Sequence, residues 1–171
     1  PDRLAAAIRV LGPVFLQLYG QTEAPQVVTT LRKADHDLAR PERLGSCGRE
    51  TTLTQIRLFD ERMEEVSPGQ PGELCVRGPL VCNGYWKQPE QTEALFRGGW
   101  LHTGDVAIQD EAGYFTIVDR IKDLIISGGF NIYPREVEDA LMSHPDILSA
   151  GVIGIPDAKW GEAVKAFVVL R

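Results

Sequence analysis

The sequence contains little cysteine, and its three cysteines, Cys47, Cys75 and Cys82, are odd in number and show no CxxC spacing. This pattern argues against a disulfide framework or a zinc site and favours a reducing, cytoplasmic compartment. No run of about eighteen apolar residues occurs, so the sequence predicts no membrane span. A signal-peptide pattern is also missing.

The sequence has no excess of basic residues. Its 18 Lys and Arg against 24 Asp and Glu give a formal net charge of −6. That charge argues against a generic nucleic-acid or acidic-membrane surface, but it allows one anionic ligand in a locally basic site. The chain lacks an initiator methionine and stops inside an apolar segment, residues 166–170. We therefore expect both ends to be cut from a larger protein.

Apolar periodicity and turn residues predict a chain of α/β and α+β character. The predicted helices cover residues 2–11, 89–97 and the segment from Pro134 to Pro145. The predicted strands cover residues 14–19, 53–60, 72–76, 106–109, 114–118, 124–126, 148–155 and 164–170. The pattern changes from β-rich to α+β at the charged residues 119–123. This change predicts a domain boundary, with residues 1–119 before it and residues 120–171 after it.

Residues 119–138 combine several signals in one stretch. A charged group opens it, and a short apolar strand follows. Gly128 and Gly129 then permit backbone angles that a side chain would block. Pro134 suits the first position of a helix. On these residues alone the stretch is a strand, a glycine turn and a helix.

The same stretch resembles the hinge segment of the adenylate-forming acyl-CoA synthetases, the AMP-binding acyl/aryl-CoA ligases. Three further stretches match that family in the same order: Tyr-Gly-Gln-Thr-Glu at 19–23, Gly-Glu-Leu-Cys-Val-Arg-Gly at 72–78, and Gly-Trp-Leu-His-Thr-Gly-Asp at 99–105. Four motifs in order make the resemblance specific. It implies that residues 1–119 are the C-terminal part of a large AMP-binding domain, a strand and loop plus a β-rich subdomain. Residues 120–171 would begin a small, swinging α+β domain, with the hinge at 119–123.

The resemblance implies that Tyr19, Gly20, Gln21 and Thr22 bind ATP and AMP, that Thr22 and Glu23 are catalytic, and that Glu23 holds Mg²⁺. The chemistry of these residues agrees, because the Thr22 hydroxyl can reach a phosphate oxygen and the Glu23 carboxylate is a hard ligand. The predicted position, at the carboxyl end of a strand, is where open α/β sheets bind ligands. Taken alone, a strand-end Thr-Glu pair is more often a helix cap.

Asp105 and Arg120 are the predicted contacts to the rest of the nucleotide. One carboxylate can accept from both hydroxyls of a ribose, and the resemblance assigns Asp105 that role. The planar guanidinium of Arg120 would reach ribose or phosphate. The alternatives are a turn Asp bonded to its own backbone and a salt bridge between Arg120 and Asp119 or Asp123.

Lys122 occupies the family's hinge position, whose backbone rotates between an adenylating and a thioester-forming pose. The alternative is a solvated surface lysine. Ser127, Gly128 and Gly129 match the loop that family members bring to the pantetheine arm of CoA. Their small side chains suit the passage of a narrow chain.

The resemblance implies an ATP-dependent ligase that converts a carboxylic acid, most simply a fatty acid, into acyl-AMP and then transfers it to CoA. ATP, Mg²⁺ and CoA are the expected cofactors and co-substrates. The family's phosphate loop and catalytic lysine lie outside these residues, so we expect the isolated chain to be inactive. Two alternatives remain open: an adenylation domain that loads a carrier protein or a luciferase relative, and a non-catalytic interaction module.

Overall fold

The computed structural model describes residues 2–171, apart from the side chain of Gln26. Within those residues the chain forms three α-helices, twelve β-strands and three short 3₁₀ turns. In chain order the helices and strands are α1 Asp2–Leu11, β1 Gln17–Gln21, β2 Ala24–Leu31, β3 Arg49–Glu50, β4 Gln55–Phe59, β5 Pro71–Arg77, α2 Pro89–Leu95, β6 Phe96–Arg97, β7 Trp100–Gln109, β8 Phe115–Arg120, β9 Ile125–Ser127, β10 Phe130–Ile132, α3 Pro134–Met142, β11 Ile147–Asp157 and β12 Gly161–Leu170.

The chain divides into two compact units. The first ends at Ile117 and the second is Val118–Arg171. The predicted hinge residues 119–123 lie near the start of the second unit. Their function as a hinge stays a prediction. None of the helices among residues 2–171 is long and apolar enough to cross a membrane.

The first unit contains two antiparallel sheets. One has the order β1-β2-β3, and the other has the order β4-β5-β7-β6 with β8 paired to β7. Their shared core consists of fully or almost fully buried apolar side chains: Ala24, Val28, Ile56, Leu58, Leu74, Val76, Leu101, Ala107 and Phe115. Burial of such side chains is the main favourable contribution to folding.

The burial pattern of each strand follows its place in the sheet. In β4, Ile56 and Leu58 are buried whereas Gln55 and Arg57 are exposed, as expected for a strand with one face toward solvent. Central strands β5 and β7 are buried along most of their length. They therefore form the buried centre of their sheet, and they carry two of the motifs.

The second unit is a four-stranded sheet with the order β10-β9-β12-β11, and α3 packs against β11. Glu138 of α3 accepts a hydrogen bond from the Val152 amide at 2.8 Å. Glu162 of β12 accepts one from the Ile126 amide at 2.7 Å. The predicted α+β character of this part of the chain is confirmed.

Two local predictions are wrong. The first strand does not end at Tyr19 in an open α/β sheet; it continues through Gly20 and Gln21 and turns directly into antiparallel β2. The glycine turn does not lead straight into the helix, since β10 intervenes and pairs with β9. Both errors have one cause. Strands joined by a tight turn pair with each other through backbone hydrogen bonds, so a short strand can form without a long apolar run in the sequence.

Candidate functional site

A bulge in β7 presents Asp105. Glu73 of β5 pairs with Val106 and Cys75 pairs with His102, so Leu74 alone faces the three residues 103–105. Gly104 has a φ of +72°, a value that favours glycine. Bulges of this kind re-aim side chains and are common beside active sites.

Two hydrogen bonds of the Thr103 side chain hold the bulge. The Thr103 hydroxyl donates to the Leu74 carbonyl at 2.6 Å, and its oxygen accepts from the Asp105 amide at 3.1 Å. Asp105 is 9% exposed, which is unusual for a carboxylate. A buried acid on a fixed bulge suits the recognition of neighbouring hydroxyl groups.

Tyr19 is the partner of Asp105 across the two sheets. Its hydroxyl donates to Asp105 Oδ2 at 2.6 Å. Burial, followed by the hydrogen bond to the Asp105 carboxylate, raises the pKa of Tyr19 well above its ordinary value. The structure therefore brings together two residues that the sequence assigned to the nucleotide.

The rest of the first motif lies on the β1–β2 hairpin. The register shifts between Tyr19 and Gln21, which makes Gly20 the irregular position, and Gln21 pairs with Ala24. Thr22 is exposed in the turn.

Glu23 ends the same turn and contacts a loop that the sequence did not single out. Its carboxylate accepts a hydrogen bond from the Tyr85 hydroxyl, and its carbonyl accepts from the Cys82 amide at 2.7 Å. The bond to Glu23 is the largest cause that raises the pKa of Tyr85. Tyr85 also lines an open depression of about 580 Å³, together with Trp86, Thr92 and Phe96.

A second buried polar cluster lies beside the bulge and was missed from sequence. Glu73 Oε2 accepts from His102 Nδ1 at 2.7 Å, and Cys75 Sγ lies 3.4 Å from the same nitrogen. The proton is assigned to Nδ1 because a carboxylate can only accept. Burial and the Glu73 charge raise the pKa of the Cys75 thiol to about 12. The GELCVRG and GWLHTGD motifs hold all three residues, but only the strand register shows that they meet.

Glu73, Cys75 and His102 also form a group with donor atoms within 4.8 Å of one another, close enough to share a metal ion. The guanidinium of Arg97, however, lies 3.1 Å from His102 Nδ1 and 3.5 Å from Glu73 Oε2. A metal cation would have to displace this positive charge and the bond between the two donors. The cluster is therefore better described as a hydrogen-bonding network than as a metal centre.

A third polar contact supports the fold of the first unit. The Tyr114 hydroxyl donates to Asp35 Oδ1 at 2.7 Å, and the guanidinium groups of Arg43 and Arg49 lie over the Tyr114 ring. Although burial opposes it, the bonds from Tyr114 and the Arg32 amide lower the pKa of Asp35. No motif carries this contact, whose two partners are 79 residues apart.

The second unit carries the remaining predicted residues. Arg120 precedes the 3₁₀ turn Ile121–Asp123, which contains the exposed Lys122. The Arg120 amide donates to Asp119 Oδ1, and the Arg135 amide in the first turn of α3 donates to Asp119 Oδ2 at 3.0 Å. Asp119 thus ties this segment to the positive end of α3.

The predicted CoA loop is the turn of the β9–β10 hairpin. Ser127 pairs with Phe130, and Gly128 and Gly129 between them have φ values of +58° and +85°. The Gly128 amide donates to the Trp160 carbonyl at 2.8 Å. A Cβ on Gly128 would lie 2.7 Å from the Trp160 ring, whereas one on Gly129 would meet nothing within 4 Å.

Comparison with known proteins identifies two matching domain families and several similar proteins. Residues 1–86 match the AMP-binding enzyme family, and residues 136–171 match the AMP-binding enzyme C-terminal domain. The medium/long-chain-fatty-acid–CoA ligase FadD8 of Mycobacterium tuberculosis is 54% identical over 171 residues, 100% of this chain and 29% of that protein. The feruloyl-CoA synthase of Amycolatopsis sp is 47% identical over 169 residues, 99% of this chain and 34% of that protein.

The chain is also similar to solved structures. The amide bond synthetase McbA from Marinactinospora thermotolerans superposes with a TM-score of 0.89 at 42% identity, covering 100% of this chain and 35% of that chain. The present chain spans between 29% and 35% of the length of these three relatives. The family match over residues 1–86 and the C-terminal-domain match over residues 136–171 show that this chain belongs to the AMP-binding enzymes.

Proposed function

We propose that this chain is part of an ATP-dependent acyl-CoA ligase that activates a carboxylic acid as acyl-AMP and transfers the acyl group to CoA. Family membership supports the reaction class. The observation that carries the proposal within this chain is Asp105, a buried carboxylate on a bulge, bonded to Tyr19 of a second family motif. Two motifs that lie far apart in sequence thus meet at one carboxylate.

In this proposal Asp105 accepts from the two ribose hydroxyls of ATP, and Arg120 binds ribose or phosphate. Charge-assisted hydrogen bonds of this kind are the strong ones. Tyr19, Gly20, Gln21 and Thr22 form the hairpin against which the nucleotide lies. The low exposure of Asp105 supports the assignment, since exclusion of water strengthens a hydrogen bond to a charged group.

Glu23 is the proposed Mg²⁺ ligand, and its environment fits that role. Its carboxylate lies at a turn and accepts a hydrogen bond from the Tyr85 phenol. Mg²⁺ usually takes one or two carboxylates together with phosphate oxygens and water. When bound, the ion would neutralise phosphate charge during attack.

The proposed reaction has two steps. The substrate carboxylate attacks the α-phosphorus of ATP, forming the acyl-phosphate bond of acyl-AMP and expelling pyrophosphate. The CoA thiol then loses its proton and attacks the acyl carbon, so that a thioester forms and AMP leaves. Ser127, Gly128 and Gly129 are the proposed CoA contacts, and Lys122 is the proposed hinge between the two poses.

A fatty acid is the proposed substrate. The name of FadD8, at 54% identity, supports it. The three free cysteines, Cys47, Cys75 and Cys82, are consistent with a cytoplasmic enzyme. A second candidate function is supported by the likeness to an amide bond synthetase, in which an amine would replace CoA as the acceptor of the acyl group.

The test uses the full-length enzyme that contains this chain. Pyrophosphate release is measured with ATP, Mg²⁺ and a panel of fatty and aromatic acids, and the product is identified by mass spectrometry with CoA or with an amine. Acyl-CoA from fatty acids is the expected product. Amide formation without acyl-CoA would establish the second candidate, and no acid-dependent pyrophosphate release would overturn both.

A further inference from the structure

The β7 bulge needs a hydrogen-bond acceptor for Gly104, because its amide has left the regular strand pairing. Glu73 supplies that acceptor from the neighbouring strand. We propose that Glu73 is a positioning residue for the nucleotide: its carboxylate holds the bulge in the conformation that presents Asp105. This inference rests on the proposed function, in which Asp105 binds the ribose.

The two oxygens of Glu73 hold both sides of Thr103. Oε1 accepts from the Gly104 amide at 3.1 Å, and Oε2 accepts from His102 Nδ1 at 2.7 Å. Glu73 and Val106 are paired residues, so the carboxylate reaches back along the bulge from its far end. One side chain thereby spans the segment whose shape decides where Asp105 lies.

The burial of Glu73 is explained by these bonds. Its side chain is 12% exposed and that of His102 is 6% exposed, so neither is well solvated by water. An acid in such a place is costly unless it is hydrogen-bonded and paired with charge. Arg97 Nη2, 3.5 Å from Oε2, supplies the opposite charge from the solvent side.

In this proposal Glu73 acts indirectly and does not contact the substrate. Glu73 bonds to the backbone of Gly104 and to the ring of His102, and it acts on the nucleotide through Asp105. Loss of the Oε1 acceptor would leave the half-buried Gly104 amide unsatisfied and release the bulge. Small displacements of a binding group lower affinity strongly when several bonds must form together.

The experiment measures ribose discrimination in the full-length enzyme, defined as the ratio of the Kd of an ATP analogue lacking both ribose hydroxyls to the Kd of ATP. For the wild type we expect a ratio of about 10 to 100, which corresponds to hydrogen bonds to a charged group. Glu73→Met removes both acceptors, and we expect the ratio to fall severalfold. Glu73→Gln keeps one acceptor oxygen for the Gly104 amide and should restore most of the discrimination.

Glu65→Met is the matched control. Glu65 also pairs with an arginine, at 3.2 Å from Arg57, but its side chain is 59% exposed. We expect the ribose discrimination ratio of Glu65→Met to equal that of the wild type. If Glu73→Met does not fold, Glu73→Asp tests the same point, since its carboxylate is one methylene too short to reach Gly104.

Asp105→Asn distinguishes a failure of the ribose assignment from a failure of the positioning role of Glu73. If Asp105→Asn loses discrimination while Glu73→Met and Glu73→Asp keep the wild-type ratio, Glu73 only stabilises the fold and the inference is overturned. If Asp105→Asn itself keeps the wild-type ratio, the ribose assignment in the proposed function is wrong and the role of Glu73 fails with it. A lower discrimination ratio in Asp105→Asn and in Glu73→Met, with recovery in Glu73→Gln, supports both the ribose assignment of Asp105 and the positioning role of Glu73.

Discussion

Tyr19 and Asp105, 86 residues apart in the sequence, are joined by a hydrogen bond of 2.6 Å. The tyrosine belongs to the three-stranded sheet and the aspartate to the five-stranded sheet of the first unit. Their bond therefore connects two sheets and two family motifs. The same hydrogen bond therefore contributes to the stability of the first unit and to the position of Asp105 in the proposed ribose site.

Tyr19→Phe should lower the free energy of unfolding by about 1–3 kcal/mol at neutral pH, because the buried Asp105 loses a hydrogen bond. The pKa of Tyr19 is raised above its ordinary value of 10.0, so its contribution is fully present below pH 10.0. The contribution is lost as the pH rises further, because the unfolded chain ionises its tyrosine and the folded chain does not.

Urea unfolding of both proteins at a series of pH values checks this prediction. The wild type should lose stability above pH 10.0 more steeply than Tyr19→Phe. The other tyrosines are present in both proteins, so the difference in slope isolates Tyr19. Equal slopes would mean that Tyr19 ionises as readily in the folded chain as in the unfolded chain, contrary to its burial and its bond to Asp105.

Gly128→Ala should destabilise the second unit more than Gly129→Ala. Both glycines have positive φ, which costs an alanine about 1–2 kcal/mol. At Gly128 the new methyl group would also lie 2.7 Å from the Trp160 ring, so we expect a further loss of about 1 kcal/mol or more. Chemical denaturation measures both variants, and an equal loss for the two would contradict the packing of Trp160 over Gly128.

Lys122→Pro should separate the two proposed half-reactions in the full-length enzyme. Proline holds φ near about −65°, so it should trap one pose of a hinge. One of the two steps, acyl-AMP formation or thioester formation from prepared acyl-AMP, should fall by orders of magnitude while the other is largely kept. Lys122→Ala is the matched control, since it removes the charge and leaves the backbone free to rotate.

Pyrophosphate exchange follows the first step, and CoA addition to acyl-AMP follows the second. The melting temperature of Lys122→Pro should change little, because Lys122 is exposed in a short turn. An equal loss of both steps in a well-folded Lys122→Pro protein would exclude the hinge role. Residues 119–123 would then be an ordinary charged segment.

Cys75 should be the least reactive of the three cysteines in the folded chain. Its side chain is fully buried, and burial raises its pKa to about 12, so little thiolate is present at neutral pH. Iodoacetamide labelling followed by peptide mass spectrometry should modify Cys82 well before Cys75. In denaturant all three should react alike; comparable labelling of Cys75 and Cys82 in the native chain would show that the Glu73 cluster opens readily.

Much of the local structure could be predicted from the sequence. Apolar spacing predicted α1 and α3, and alternation with turn residues predicted the strands around residues 53–60 and 72–76. The motif order predicted the family, and the matches confirm it. These properties depend on residues that are close together in the chain, so periodicity and spacing are enough to find them.

The tertiary structure decided which distant residues meet. Sequence alone determined that Asp105 and Tyr19 belong to chemically meaningful motifs, but only strand register places the hydroxyl on the carboxylate. Glu73 and His102 are 29 residues apart, and the bulge that joins them exists because three residues of β7 face one residue of β5. The β1–β2 hairpin and the strand β10 likewise depend on pairing across a turn. Such contacts follow from backbone hydrogen bonding between strands, which no spacing within a single strand records.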